Sequence, residues 1–253
     1  MYNTHGLIML SEKPYLQKII YNKQAVPAEL TSQYPYNISF LSQLNELNFH
    51  PDVTFIVGEN GAGKSTLIEA LALGLGFSAE GGTRNFNVET ATTTSSLHQH
   101  FKFIRSYKKP SDYYFLRAES FFNVATYMDE THYLEGYGGK SLHAQSHGEA
   151  FLALLNHKLR GNGLYIFDEP EAALSPQRQL AAVSAIHQLV QKKSQFIIAT
   201  HSPIIMAYPN ALILWVNNEG IHPVKLEDTE HFKVYDLFFK DYQRLIRQVM
   251  QTE

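Results

Sequence analysis

The sequence predicts an α/β fold, and three stretches carry that prediction. Val53–Val57 is a short apolar run; the glycine-rich Gly58–Thr66 follows, and then Leu67, Ile68, Leu71 and Leu75 recur at helical spacing. Leu164–Phe167 is a second apolar run ending in Asp168-Glu169-Pro170, with a helical stripe after it at Leu180, Val183, Ile186, Leu189 and Val190. Gln195–Ala199 is the third, ending in Thr200-His201-Ser202-Pro203. Buried strands alternating with amphipathic helices are the α/β pattern. The 253 residues suit one domain, 1–253, carrying small subdomains.

Residues 1–50 lead into the glycine loop. Pro14, Pro27 and Pro35 interrupt them, and Ile38–Leu41 and Leu47–Phe49 read as short strands. Tyr34, Tyr36 and Phe49 lie upstream of the loop, where an aromatic ring can stack on a nucleobase; packing is the commoner use in a chain with 15 Tyr and 16 Phe.

Gly58-Glu59-Asn60-Gly61-Ala62-Gly63-Lys64-Ser65-Thr66 fits G-x-x-x-x-G-K-[ST], the loop that wraps nucleotide phosphates. The glycines let the backbone curl and approach the phosphates, so that successive N–H groups form an anion nest. Lys64 supplies a point charge for the β- and γ-phosphates, and the Ser65 hydroxyl is a hard oxygen ligand for Mg2+. Strand, loop and helix come in the order the motif needs, and the helix N-terminus adds partial positive charge. A nucleoside triphosphate with Mg2+ is the expected ligand of Gly58, Asn60, Gly61, Ala62, Gly63, Lys64, Ser65 and Thr66, and the family resemblance given below makes that nucleotide ATP.

From Ser78 to Ser96 the chain is polar and reads as a loop. Phe101–Ile104 and Tyr113–Leu116 are strand-like, and Lys109-Pro110-Ser111-Asp112 between them has turn composition, which predicts an antiparallel hairpin. His98 and His100 would share a strand face, but no nearby carboxylate completes a metal set. Residues 119–144 are irregular. Their Gly139-Lys140-Ser141 is no second phosphate loop, because Leu134 stands where the motif needs Gly.

Gln145-Ser146-His147-Gly148-Glu149 opens an apolar segment and reads as a capping box, Ser146 capping and Glu149 returning the bond. A capped helix start is also an anion site. Asp168-Glu169 at the end of a buried strand is costly unless a cation or nucleotide uses the charge. Ser175-Pro176 starts the next helix as N-cap and N1. A lone His201 after a strand is more often structural than functional. Ala211–Val216 and Ile221–Val224 flank Asn217-Asn218-Glu219-Gly220, a hairpin turn. The C-terminus reads as one amphipathic helix with Phe238, Tyr242, Leu245, Ile246 and Val249 on a stripe.

Composition narrows the function classes. With no Cys, disulfides, thiolate metal sites and cysteine nucleophiles are excluded. No apolar run approaches a membrane span, so no transmembrane segment is expected. The N-terminus shows no basic region followed by an apolar stretch, so no signal peptide is read and a cytoplasmic location is expected. Net charge is −3 and no Lys/Arg run exceeds two residues, which leaves nucleic acid without a dominant basic footprint.

Together these features stand in a fixed order: phosphate loop, strand pair, Ser-x-Gly-Glu helix start, Asp-Glu strand end, His strand end. In that order the chain resembles the ABC-type ATPase domain, most closely the soluble SMC- and RecF-like branch whose small stand-alone members are described as AAA-family ATPases. The resemblance covers about Leu47 to Val216. Gly58–Thr66 is similar to Walker A, Leu164–Glu169 to Walker B with its adjoining glutamate, Ser146–Glu149 to the signature motif, Glu171–Pro176 to the D-loop, and His201 to the switch histidine. It departs from the family in the signature, which reads Gln-Ser-His-Gly-Glu, and in the segment after the second hairpin strand. There Arg117-Ala118-Glu119-Ser120 replaces a Mg2+-contacting Gln, and Glu119 is the stand-in.

What the resemblance implies is a P-loop NTPase with a mainly parallel core sheet flanked by helices, an antiparallel β subdomain and a shortened helical subdomain at about 119–150. It implies ATP hydrolysis with Glu169 as general base, His201 at the γ-phosphate, and Ser65, Asp168 and Glu119 about Mg2+. It also implies an ATP-dependent homodimer in which Ser146, Gly148 and Glu149 reach the nucleotide of the other copy. A nucleotide-gated interaction module, serving an effector protein in repair or defence, is the alternative. A transporter subunit fits least, because the helical subdomain is cut down.

Overall fold

The computed structural model describes residues 12–83, 95–118 and 146–250. A six-stranded sheet forms the centre, in the order β5 (Asp112–Arg117), β6 (Gly163–Asp168), β7 (Gln195–Ala199), β3 (Val53–Gly58), β8 (Leu212–Asn217), β9 (Gly220–Val224). Its strands run parallel except for the β8–β9 hairpin. β3, β6 and β7 are buried at every residue. Such runs show no polar alternation because both faces of the sheet are covered.

The two faces carry separate cores. Val53, Phe55, Tyr165, Phe167, Phe196 and Ile198 point to one, packed by α2 (His147–Ala153) and α3 (Pro176–Gln191). Ile56, Leu164, Ile166, Ile197 and Ala199 point to the other, packed by α1 (Lys64–Gly74). Odd and even residues of each strand thus feed different cores. Burying one side chain of Phe167's size contributes about 1.5–3 kcal/mol.

Over α1 lies a three-stranded antiparallel sheet, β2 (Glu46–Asn48), β1 (Leu16–Tyr21) and β4 (Phe101–Arg105), in that order. Two helices close the chain, α5 (Glu230–Lys240) and α6 (Tyr242–Met250), after the short α4 (Pro203–Met206).

The antiparallel subdomain exists, but not by the predicted hairpin. β4 pairs with β1, whereas β5 runs parallel to β6 in the other sheet. The physical reason is burial. Tyr114 and Leu116 enter one core and Phe115 the other, so β5 needs a sheet covered on both faces even at its end position, while β4 carries exposed Lys102 and Arg105. Asp112 ties β5 to its partner: Oδ2 accepts from the Arg160 amide at 2.9 Å and from the Tyr165 hydroxyl at 2.7 Å.

Other expectations are corrected as well. Ile38–Leu41 is no strand, because Ser39–Ser42 forms a 3-10 turn that buries Phe40 and Leu41. His98 and His100 lie on the 3-10 turn Ser96–His100. The C-terminal helix is two helices, since Asp241 leaves helical geometry and its carboxylate accepts from the Arg244 amide at 3.0 Å, capping α6. Most of the shortened helical subdomain, with Glu119 and Gln145, lies outside the described residues.

The Tyr165 hydroxyl also accepts from the Gly161 amide at 3.2 Å. Burial, with Asp112 beside it, pushes this phenol far above its ordinary pKa. Tyr165→Phe therefore leaves a buried N–H without its acceptor. It is expected to cost about 1–3 kcal/mol, read as a melting midpoint lowered by roughly 2–4 °C per kcal/mol. An unchanged midpoint would show the pair to be dispensable.

Candidate functional site

Register brings the motifs together. β7 lies between the phosphate-loop strand β3 and the Asp168 strand β6, with Ile56 and Asp168 both opposite Ala199. The amides beyond the strand ends stitch this edge: Glu169 N–H donates to Ala199 O at 3.0 Å and Thr200 N–H to Ile56 O at 3.3 Å. Asp168, Glu169 and His201 therefore emerge beside the loop that follows Gly58, at the carboxyl ends of parallel strands where α/β folds place ligands.

Two glycines of the loop are dictated by contact. A Cβ on Gly58 would stand 2.3 Å from Val216 O, and one on Gly63 would stand 2.8 Å from both Ile38 and Phe40. Gly63 also holds φ +92, the left-handed region that favours glycine, as it caps α1. Lys64 is 4% exposed, and its ammonium donates to Gly58 O at 3.0 Å and Glu59 O at 2.8 Å. Burial pulls its pKa down from the ordinary lysine value, opposed by the carboxylates of Glu169, Asp168 and Glu171.

Ser65 Oγ donates to Asp168 Oδ1 at 3.2 Å, so two hard oxygens stand side by side at the helix start. Arg117, opposite Asp168 in the β5–β6 register, places Nε 3.9 Å from Asp168 Oδ2 and donates from Nη1 to Glu69 at 2.9 Å. A pocket of about 300 Å3 opens over this edge, lined by Tyr34, Asn60, Gly61, Gly63, Lys64, Ser65, Thr66 and Glu169. Asn60 and Gly61 also border a second hollow with Ala62 and Trp215.

Of the three upstream aromatics, Tyr36 and Phe49 are buried in the core and Tyr34 is 69% exposed at the pocket. Its hydroxyl shares a hydrogen bond with Thr66 Oγ1 at 2.8 Å.

Glu169 holds φ +51 and ψ +52, a left-handed conformation that costs a non-glycine residue about 1–2 kcal/mol. The following Pro170 disfavours the right-handed alternative, and the Glu169 amide bond to Ala199 holds the turn. That turn carries the carboxylate off the strand line into the pocket, 3.4 Å from His201 Nε2. The His201 amide donates to the Glu171 carboxylate, whose pKa burial raises.

Ser146 and Glu149 form the expected capping box on α2, with Ser146 N–H donating to Glu149 Oε2 at 2.9 Å. Arg178, on α3, grips both side chains, from Nη1 to Ser146 Oγ at 2.8 Å and from Nη2 to Glu149 Oε1 at 3.1 Å. The Ser146 amide and hydroxyl, and then Arg178, hold the Glu149 carboxyl below its usual pKa range. Neither Ser146, Gly148 nor Glu149 lines the pocket over the chain's own phosphate loop. Sequence reasoning missed Arg117 as a partner of Asp168, Arg178 as a clamp on the helix start, and His231, which lies 2.9 Å from His201. The charge of both arginines marked them as residues needing a partner, but no signal in the sequence named which.

The AAA domain family model matches residues 37–145. The SMC head domain from Thermotoga maritima is 17% identical over 84% of this chain and 100% of its own, with a TM-score of 0.46. CbiO1 from Clostridium perfringens, part of an ABC transporter complex, is 17% identical over 94% of this chain and 100% of its own, with a TM-score of 0.47. An SMC head bound to the C-winged-helix domain of ScpA is 16% identical over 83% and 97%, with a TM-score of 0.44. No curated protein matches in sequence. The order of the motifs, with β7 standing between the phosphate-loop strand β3 and the Asp168 strand β6, makes the fold an α/β P-loop fold with a mainly parallel core sheet.

Proposed function

We propose that the whole chain, 1–253, is one Mg2+-dependent ATPase domain that hydrolyses ATP and uses the nucleotide to control dimerisation. The observation that carries the reading is the convergence of the phosphate loop, Asp168, Glu169 and His201 on one end of the core sheet. Loop amides and Lys64 bind the phosphates. Glu169 accepts a proton from the water that attacks the γ-phosphorus as the bond to the ADP oxygen breaks. His201 contacts the γ-phosphate and registers its presence, and Tyr34 offers its ring to the base.

The residues fit Mg2+, because Ser65 Oγ and Asp168 Oδ1 are adjacent oxygens with an affinity for a hard cation. Bound there, Mg2+ supplies positive charge to the phosphates. Glu119 is its third proposed neighbour and lies outside the described residues.

Ser146, Gly148 and Glu149 stand apart from their own pocket, which supports their action in trans, in a head-to-tail homodimer with two nucleotides between the copies. A second reading, a nucleotide-gated module for an effector protein, is favoured by the exposed Val234, Leu237, Phe239, Val249 and Met250 on α5 and α6. No described helix is long and apolar enough to cross a membrane; a cytoplasmic place is proposed together with the ATPase reading. Phosphate release from ATP, with and without Mg2+, tests the enzymatic reading. Mg2+-dependent release is expected, and release no greater than that of Lys64→Ala overturns it.

A further inference from the structure

His231 belongs to none of the nucleotide-binding motifs, yet it is the direct partner of the histidine that faces the candidate base. It lies in the first turn of α5, which Thr229 caps by accepting from the Phe232 amide at 3.2 Å. Thr229 itself is 1% exposed, so the start of this helix is fixed to the body while its later turns are exposed. The His231 ring packs edge-on to Trp215 of β8 at 6.1 Å between centroids. Its Nε2 is 2.9 Å from His201 Nδ1.

The geometry decides which ring nitrogen carries the proton. His201 Nε2 is 3.4 Å from the Glu169 carboxylate oxygen, and neither that nitrogen nor His231 Nδ1, both buried, has a hydrogen-bond partner among the described residues. If His201 Nδ1 were the donor, a bare His201 Nε2 would face a carboxylate and His231 would bury an orphaned Nδ1–H. Both are penalised: lone pair against carboxylate is repulsive, and buried unpaired N–H groups are the rarer and costlier orphans. In the reverse arrangement His231 Nε2–H donates to His201 Nδ1, the positive N–H end of His201 Nε2 faces the Glu169 carboxylate at 3.4 Å, an electrostatic attraction without hydrogen-bond geometry, and the nitrogen left with no charge beside it is an acceptor.

We propose that His231 is a positioning residue that locks His201 in the Nε2–H tautomer, aimed at the carboxylate and the γ-phosphate position. The inference rests on the ATPase reading for its consequence, but its structural content does not. The groups around His231 agree with a neutral donor. Burial lowers its pKa, and His201 and Lys64 act in the same direction against Glu230. The arrangement also ties α5, the first of two helices with exposed apolar side chains, to the nucleotide end of the sheet by one hydrogen bond between side chains 30 residues apart.

The test combines imidazole 15N NMR of the nucleotide-free protein with steady-state ATP turnover, on wild type, His231→Leu and His231→Gln. Wild type is expected to show His201 with protonated Nε2 and bare Nδ1. His231→Leu is expected to let the two tautomers mix and to lower kcat about tenfold with little change in KM. His231→Gln, whose carboxamide N–H can reach the same acceptor, is expected to keep the tautomer and most of kcat. The proposal is overturned if His201 keeps its Nε2–H form in His231→Leu, or if His231→Gln loses the tautomer as fully as the leucine variant. If turnover is absent throughout, the ATPase reading fails, and the NMR comparison still decides the role of His231.

Discussion

Lys64→Ala is expected to abolish nucleotide binding while leaving the protein folded. The ammonium makes two hydrogen bonds, both to carbonyls of its own loop, Gly58 O and Glu59 O. A phosphate offers the same donors a charged acceptor, and charge-assisted bonds contribute about 1.5–3 kcal/mol each. Losing two of them is about 4 kcal/mol, roughly a thousandfold in affinity.

The same residue is a burden on the empty fold. Burial lowers its pKa, so the unfolded chain binds the proton more tightly than the folded one. By linkage the charged lysine subtracts from stability at neutral pH, and that loss fades as pH rises toward the ordinary lysine value. Alanine removes the burial cost and strands two carbonyls, opposing effects that leave the melting midpoint near wild type. Calorimetric titration and thermal melts check both halves. Wild type should gain roughly 5–10 °C with ATP and Mg2+ at about a hundred times Kd, from about 2.7 kcal/mol of linkage. The variant should gain nothing; wild-type affinity in Lys64→Ala would remove the phosphate-loop assignment.

What the sequence made legible was local. A phosphate loop, a capping box, or an apolar run ending in two acids is written within ten residues, and the backbone has few ways to realise each. Pairings across the chain were not. Arg178 meets Ser146 across 32 residues, and His201 meets His231 across 30; nothing in either segment names its partner. The hairpin reading of Phe101–Leu116 failed for the same reason, because the turn between the runs says nothing about which sheet has room for a doubly buried strand. Tyr34 shows the complementary case. Three aromatics looked equivalent until burial consumed Tyr36 and Phe49. The stripe at Phe238, Tyr242, Ile246 and Val249 was also visible, but its period implied a buried face where the structure leaves these side chains exposed.

Glu169→Gln is expected to separate binding from hydrolysis. The substitution keeps the length of the side chain, and the turn survives because it depends on the Glu169 amide bond to Ala199 and on Pro170, not on the carboxylate. The amide lacks the basicity to take a proton from water, and a general base contributes about 10²–10⁴ in rate. Affinity should hold or improve, since one negative charge leaves a pocket meant for phosphates. If the ATP state is a dimer that hydrolysis dismantles, blocking hydrolysis traps it. Light scattering of Glu169→Gln with saturating ATP and Mg2+ should therefore report twice the monomer mass, and the same sample with ADP should report one. The two readouts are independent. Slow turnover in a chain that stays monomeric preserves the base and removes the sandwich, while a trapped dimer with unchanged turnover removes Glu169 as the base and leaves the nucleotide as a clamp.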